Sequence, residues 1–134
     1  MTLVFSDTLF FLALVSPDDN AHRAAIKSAD SMNRTVYTSD WILCELGNAL
    51  SSSANRRTFM GLMDHVRSDV DVRVLPATRD EFNEGMDLFG RRTDKEWSLV
   101  DCISFQLMYR LAISDALTTD RHFIQAGFNA LLIP

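Results

Sequence analysis

Residues 98–120 read SLVDCISFQLMYRLAISDALTTD. Leu99, Val100, Ile103, Phe105, Leu107, Met108 and Leu111 leave no broad polar face, so the spacing predicts a helix from Ser98 to about Ile113 buried near the centre of the fold. A short apolar strand, 116–119, follows it, and Asp120 stands just past that strand. A buried helix feeding a short strand is the unit of a parallel sheet. In such sheets, sites form beyond the carboxyl ends of the strands.

The rest of the chain repeats the pattern. Residues 2–6, TLVFS, form a short apolar run read as a buried strand, and Asp7 follows it. Residues 8–15 read as a buried helix, broken at Ser16-Pro17-Asp18-Asp19. Ala24, Ala25, Ile26 and Ala29 predict a helix over 21–32. The β-branched and aromatic run 35–38 predicts a second strand. Ser39 or Asp40 caps the next helix, with Ile42, Leu46, Ala49 and Leu50 inward. A helix over 56–67, a strand over 72–75 ending at Pro76, and a helix over 80–89 closed by Gly90 come next. A short helix over 121–126, closed by Gly127, and a last strand over 130–133 complete the chain. Alternating elements imply an α/β fold with a parallel sheet of four or five strands between helices.

The length of 134 residues fits one domain, 1–134. A net charge of −5 argues against nucleic-acid binding through bulk electrostatics, so such a partner needs a local basic patch or a bound cation. Arg56-Arg57 and Arg91-Arg92 are the paired cations, each also readable as a solvated helix face. Cys44 and Cys102 lie in apolar helical patterns and belong to no C-x-x-C motif, so both are expected to be buried free thiols. The apolar start of the chain has no basic region before it, is interrupted by Asp7 and is too short to span a bilayer. A cytoplasmic protein is expected, with no membrane partner.

Four acids, Asp7, Glu45, Asp101 and Asp120, stand at element ends or on helices able to pack against the carboxyl edge. Each has a purely structural reading. Asp7 and Asp120 can cap the helices after them, and Asp101 forms a capping box with Ser98. Glu45 borders the apolar stripe of its helix, where a carboxylate is costly unless paired or bound to a cation. Together, clustered carboxylates raise one another's pKa, and a divalent cation removes the conflict. Oxygen-only ligands favour Mg²⁺ or Mn²⁺, and the matching chemistry is phosphodiester hydrolysis. His22, His65 and His122 are dispersed, and His122 reads as a surface residue of a helix turn. No Gly-rich phosphate loop and no G-x-S-x-G elbow is present.

The segments FSDTLFFLAL, TSDWILCELGNAL, DKEWSLVDCISFQLM and ALTTDRHFIQAGF resemble, in order, those of the PIN-domain family and within it the VapC-like toxin ribonucleases. The resemblance implies a PIN-like three-layer sandwich and Mg²⁺- or Mn²⁺-dependent cleavage of RNA. It carries the family's catalytic and metal-binding quartet onto Asp7, Glu45, Asp101 and Asp120. Thr8 and Thr119 match positions where a hydroxyl orients a carboxylate or water. Leu9 departs from the usual Ser or Asn and puts one such hydrogen bond in doubt. Asp94 is an extra acid, available to Lys95, to metal or to substrate. Arg91, Arg92 and Lys95 are candidate substrate-binding cations, because they lead into the helix carrying Asp101. The resemblance further implies a small antitoxin protein laid over the site, and a homodimer.

The leading expectation is therefore a toxin endoribonuclease. A PIN nuclease of RNA processing without an antitoxin, and a degenerate PIN module that only binds a partner, are the alternatives; the intact quartet speaks against the second. A phospho-receiver domain also places acids at strand ends, but it needs a lysine on a late strand, and the only lysines are Lys27 and Lys95.

Overall fold

The computed structural model describes residues 2–31 and 33–134. The elements run β1 (Thr2–Ser6), α1 (Thr8–Val15), α2 (His22–Ala29), β2 (Arg34–Ser39), α3 (Asp40–Ala49), α4 (Arg56–Ser68), β3 (Val72–Leu75), α5 (Arg79–Arg91), α6 (Leu99–Leu111), β4 (Asp115–Leu117), α7 (Arg121–Gln125) and β5 (Asn129–Ala130). The five strands form one sheet in the order β3-β2-β1-β4-β5, and every pairing is parallel.

That order fixes the layers. The chain winds outward from β1 through β2 to β3, then returns to the other side of β1 for β4 and β5. Right-handed crossovers made in opposite directions put their helices on opposite faces. The winding reverses between β1 and β4, so the carboxyl ends of these two strands flank the crevice where an open α/β sheet offers a site. In register, Ser6 lies beside Leu117, which brings Asp7 next to Thr118.

Both faces of β1 are covered: Val4, Phe5 and Ser6 are all buried. Helix α6 carries the centre of the core, with Cys102, Ile103, Phe105, Leu107 and Met108 buried. The Phe105 ring meets Trp97 at 5.1 Å, Phe123 at 4.9 Å and Phe128 at 5.7 Å between centroids. This aromatic cluster ties the start of α6 to α7, the two elements that carry Asp101 and His122. Helices α5 and α6 pack closely because Gly85 has no side chain. A Cβ there would stand 2.2 Å from Ile103 Cγ1 and 3.1 Å from its Cα.

Local starts and stops follow from side chains. Ser39 caps α3 by accepting from the Ile42 N–H, and Thr78 caps α5 by accepting from the Glu81 N–H. Ser98 and Asp101 form the capping box of α6, and Ala112 in the left-handed region ends that helix. Gly90 does not close α5, although its place in the sequence implies it. Its backbone stays helical, and α5 stops one residue later, with Arg92 as its C-cap. Helix α2 is shorter than the expected 21–32; Met32 lies outside the described residues. The fourth strand ends at Leu117 instead of Thr119, because the chain turns there toward the site. The fifth pairs at Asn129 and Ala130, ahead of the apolar run expected to form it. Cys102 is buried, but Cys44 is exposed. On α3 it faces away from the buried stripe of Ile42 and Leu46. Among the described residues, no helix is long and apolar enough to cross a membrane.

Candidate active site

Asp7, Glu45, Asp101 and Asp120 line one cavity of about 410 Å³, together with Thr8, Glu96 and His122. The lining holds five carboxylates and no lysine or arginine. Strand β1 delivers Asp7, helix α3 delivers Glu45, the first turn of α6 delivers Asp101, and the end of β4 leads directly to Asp120.

Asp7 is 4% exposed and stands at the N-cap position of α1, yet its side chain makes no cap hydrogen bond. Its Oδ2 accepts from the Thr118 hydroxyl at 2.8 Å instead. The capping reading of Asp7 therefore fails, and the carboxylate is left for another purpose. Burial pushes its pKa up to about 7; the Thr118 hydrogen bond opposes this, and the nearby Asp101 and Glu45 charges add to it.

Asp101 keeps its capping role and adds a second. Its Oδ2 accepts the Ser98 N–H and lies 3.1 Å from His122 Nδ1. Burial raises its pKa, and the Asp120 charge adds to that, against the Ser98 hydrogen bond and His122. Asp120 caps α7 by accepting the His122 N–H at 2.9 Å and stands 3.4 Å from His122 Nδ1. Glu45 accepts a hydrogen bond from the Thr8 hydroxyl, which holds it toward the cavity. Its reading as a surface or salt-bridge residue has no support in its surroundings, which contain carboxylates and a hydroxyl.

Three residues escape the sequence reading. Thr118, not Thr119, is the hydroxyl that holds Asp7. It also accepts the Asp120 N–H at 3.0 Å, so one side chain ties two acids together. The strand register is the missing information, since it alone decides which member of the Thr118-Thr119 pair faces Asp7. Thr119 instead lines a separate cavity of about 800 Å³, between the α1–α2 loop and residues 131–134. His122, expected on the surface, is found between Asp101 and Asp120; its spacing of two from Asp120 across a helix start is the available signal. Ligand atoms of Asp101, Asp120 and His122 all lie within 4.8 Å of one another, so a nitrogen stands beside the carboxylates. Glu96 has no signal beyond proximity to the long helix.

The candidate substrate cations are less well placed. Arg91 pairs with Asp87 at 3.2 Å on an exposed helix face. Arg92 makes two hydrogen bonds to Asp94, at 3.0 and 3.1 Å, and its guanidinium lies 4.9 Å above the Trp97 ring. Asp94 is therefore hydrogen-bonded to Arg92, and that pairing lowers its pKa, with the Lys95 charge adding to it. Arg92 and Lys95 line a cavity of about 370 Å³ that shares Glu96 with the acidic one.

The carboxylates fit a divalent cation. A buried acid held protonated near neutrality by burial and its acidic neighbours, beside a partly open Asp-Asp-His group, is relieved when positive charge enters.

The PIN domain family pattern matches residues 4–129. Over 126 residues the chain is 30% identical to the 23S rRNA-specific endonuclease VapC20 of Mycobacterium tuberculosis, covering 94% of this chain and 95% of that one. The crystal structure of that VapC20, described as a sarcin-ricin loop cleaving toxin, superposes with a TM-score of 0.84 over 93% of this chain and 95% of the other. Two more distant structures share the fold. VapBC2 from Rickettsia felis, bound to a DNA fragment from its promoter, has a TM-score of 0.69 at 11% identity, with 96% of each chain covered. FitAcB from Neisseria gonorrhoeae has a TM-score of 0.64 at 16% identity, with 95% of each covered. With its fold, its acidic cavity and this extent of likeness, the chain belongs to the PIN domain family.

Proposed function

We propose that the protein is a metal-dependent endoribonuclease, the toxin of a toxin–antitoxin pair, whose catalytic groups are Asp7, Glu45, Asp101 and Asp120. The observation that carries this reading is the gathering of four carboxylates from four separate elements into one cavity without a lysine or arginine to neutralise them. When bound there, Mg²⁺ or Mn²⁺ supplies Lewis-acid polarisation of the phosphoryl group and activation of water.

The chain's own groups set the geometry. Thr118 holds Asp7, Thr8 holds Glu45, and the Ser98 and His122 N–H groups hold Asp101 and Asp120. Such preorganisation removes the cost of reorienting the carboxylates as the reaction proceeds. Water adds to phosphorus, the bond to the leaving oxygen breaks, and the proton released by water passes to a carboxylate of the cavity.

The substrate is RNA. The 30% identical relative is named for 23S rRNA and its sarcin-ricin loop, which makes large-subunit ribosomal RNA the first substrate to test and the cytoplasm the place of action. The same relative is described as a toxin, which supports a small antitoxin protein as partner. A homodimer is the expected assembly. The test incubates the purified chain with ribosomes and Mg²⁺ or Mn²⁺ and maps RNA ends. A single new end in ribosomal RNA, absent with Asp7→Asn and with Asp101→Asn, is expected. Uncut RNA under both ions, or cleavage that survives both substitutions, overturns the reading.

A further inference from the structure

We infer that His122 supplies a nitrogen ligand to the cation held by Asp101 and Asp120, so that the cavity prefers a first-row transition-metal divalent ion to Mg²⁺. The inference rests on the reading of the acidic cavity as a divalent-cation site.

The geometry carries it. His122 Nδ1 stands 3.1 Å from Asp101 Oδ2 and 3.4 Å from Asp120 Oδ1. Adjacent ligands of an octahedral ion with bonds of about 2.1 Å lie about 3.0 Å apart. His122 is thus spaced from each acid as one ligand is from the next around an ion, and all three ligand atoms lie within 4.8 Å of one another. The ring is also placed by the main chain. Asp120 fixes the His122 N–H, and the next residue, Phe123, is fully buried against Phe105.

The chemistry agrees. Within the cavity His122 is the one nitrogen donor among five carboxylates. With its proton on the far nitrogen, Nδ1 aims a lone pair between two carboxylates, an arrangement that needs a cation. Imidazole raises affinity for first-row transition ions along their usual order and adds little for Mg²⁺, a hard ion that takes oxygen. The competing arrangement has the proton on Nδ1 and His122 donating to both acids from outside the ligand set.

Mn²⁺ separates the two, because nitrogen bound to it gives a hyperfine signature in pulsed electron paramagnetic resonance. The experiment uses tag-free full-length protein. The chain has three histidines, and His22 is engaged elsewhere, its Nδ1 2.7 Å from the Ala13 carbonyl. A His22→Gln, His65→Gln double variant therefore leaves His122 as the only histidine. The expected result is a ¹⁴N coupling in wild type and in the double variant, converted to a ¹⁵N coupling by labelled histidine and lost in His122→Gln. Titration calorimetry should show Mn²⁺ affinity falling at least about 10-fold in His122→Gln, with Mg²⁺ affinity changed by less than about threefold; equal losses for the two ions belong to the competing arrangement. Bound Mn²⁺ without nitrogen coupling in wild type, or coupling lost from the double variant, overturns the assignment while leaving the cation site intact. Mn²⁺ binding that is absent from wild type, or unchanged in Asp101→Asn, overturns the cation site itself, and the assignment with it.

Discussion

The Thr118 hydroxyl donates to Asp7 Oδ2 at 2.8 Å and accepts the Asp120 N–H at 3.0 Å, so one buried side chain fixes two of the four clustered acids. Thr118→Val keeps the shape of the side chain and removes both bonds. It leaves a buried carboxyl and a backbone N–H without their partner, which costs about 1–3 kcal/mol. Stability should fall by that amount in urea unfolding, and RNA cleavage should fall with it. Thr119→Val, one residue on, should leave both close to wild type. Equal effects of the two substitutions would show that the Thr118 bonds do not organise the site.

Asp7 ties stability to pH. Its carboxyl titrates near 7 in the fold, against an ordinary value of 3.8. The folded protein therefore keeps a proton that the unfolded chain gives up between about pH 4 and 7. On account of this group, stability is unaffected below pH 3.8, declines as pH rises toward 7, and stays lowered above it. The full span of about three pKa units corresponds to at most about 4 kcal/mol. Asp7→Asn removes the group. In chelator, the variant should be more stable than wild type at pH 8, with the difference vanishing near pH 4. A divalent ion at pH 8 should raise the stability of wild type more than that of the variant, which keeps Asp101, Asp120 and His122 but loses the relief of the buried Asp7 charge. A variant less stable than wild type at pH 8 in chelator would contradict the burial argument.

Gly85 permits the close approach of α5 to α6. A methyl group there meets Ile103 at both its side chain and its backbone, so the two helices must part. Gly85→Ala gains helix propensity, about 1 kcal/mol, but overpacking costs about 1–3 kcal/mol and the Ile103 backbone cannot yield cheaply. The variant should be destabilised in thermal unfolding, whereas Gly61→Ala, where nothing stands nearby, should be neutral or stabilising.

Most of the fold is legible in the sequence because period and chain punctuation carry it. The apolar run of residues 2–6 and the nearly all-apolar stretch after Ser98 identify β1 and α6 without any tertiary knowledge. Asp7 and Asp120 are legible for a related reason: sites in parallel sheets sit where strands end, whereas Glu45 and Asp101 stand on helices, and their assignment leans on the family resemblance. Residues whose role depends on register or on side-chain direction are not. Thr118 and Thr119 are chemically identical neighbours, and only the pairing of β1 with β4 distinguishes them. The spacing of His122 from Asp120 hints at their contact, but the approach of the ring to Asp101 depends on the packing of Phe123 into the core, which local pattern does not encode. Arg92 reads as a substrate cation in the chain and is engaged by Asp94 and Trp97 in the fold.

The placement of the cations decides how an acidic protein holds RNA. Arg91 and Arg92 each have a carboxylate partner, Asp87 and Asp94, so part of their charge is already met. Lys95 is half-buried in the cavity that adjoins the acidic one across Glu96. If the scissile phosphate lies among the four acids and the strand leaves across Glu96, Lys95 would be the cation to meet its backbone. Removing one cation from a phosphate lowers the salt slope of single-stranded binding by about 0.7. Lys95→Ala should therefore reduce the slope by that amount and leave metal affinity unchanged. Arg91→Ala should change the slope little. Arg92→Ala should act through stability, because it frees Asp94 and uncovers Trp97, whose ring supports the aromatic cluster under Asp101. The comparison is RNA affinity across a salt series for the three variants on an Asp101→Asn background that does not cut. If Lys95→Ala keeps the parent slope while Arg91→Ala lowers it, the strand leaves the site over the outer face of α5 and not past Glu96.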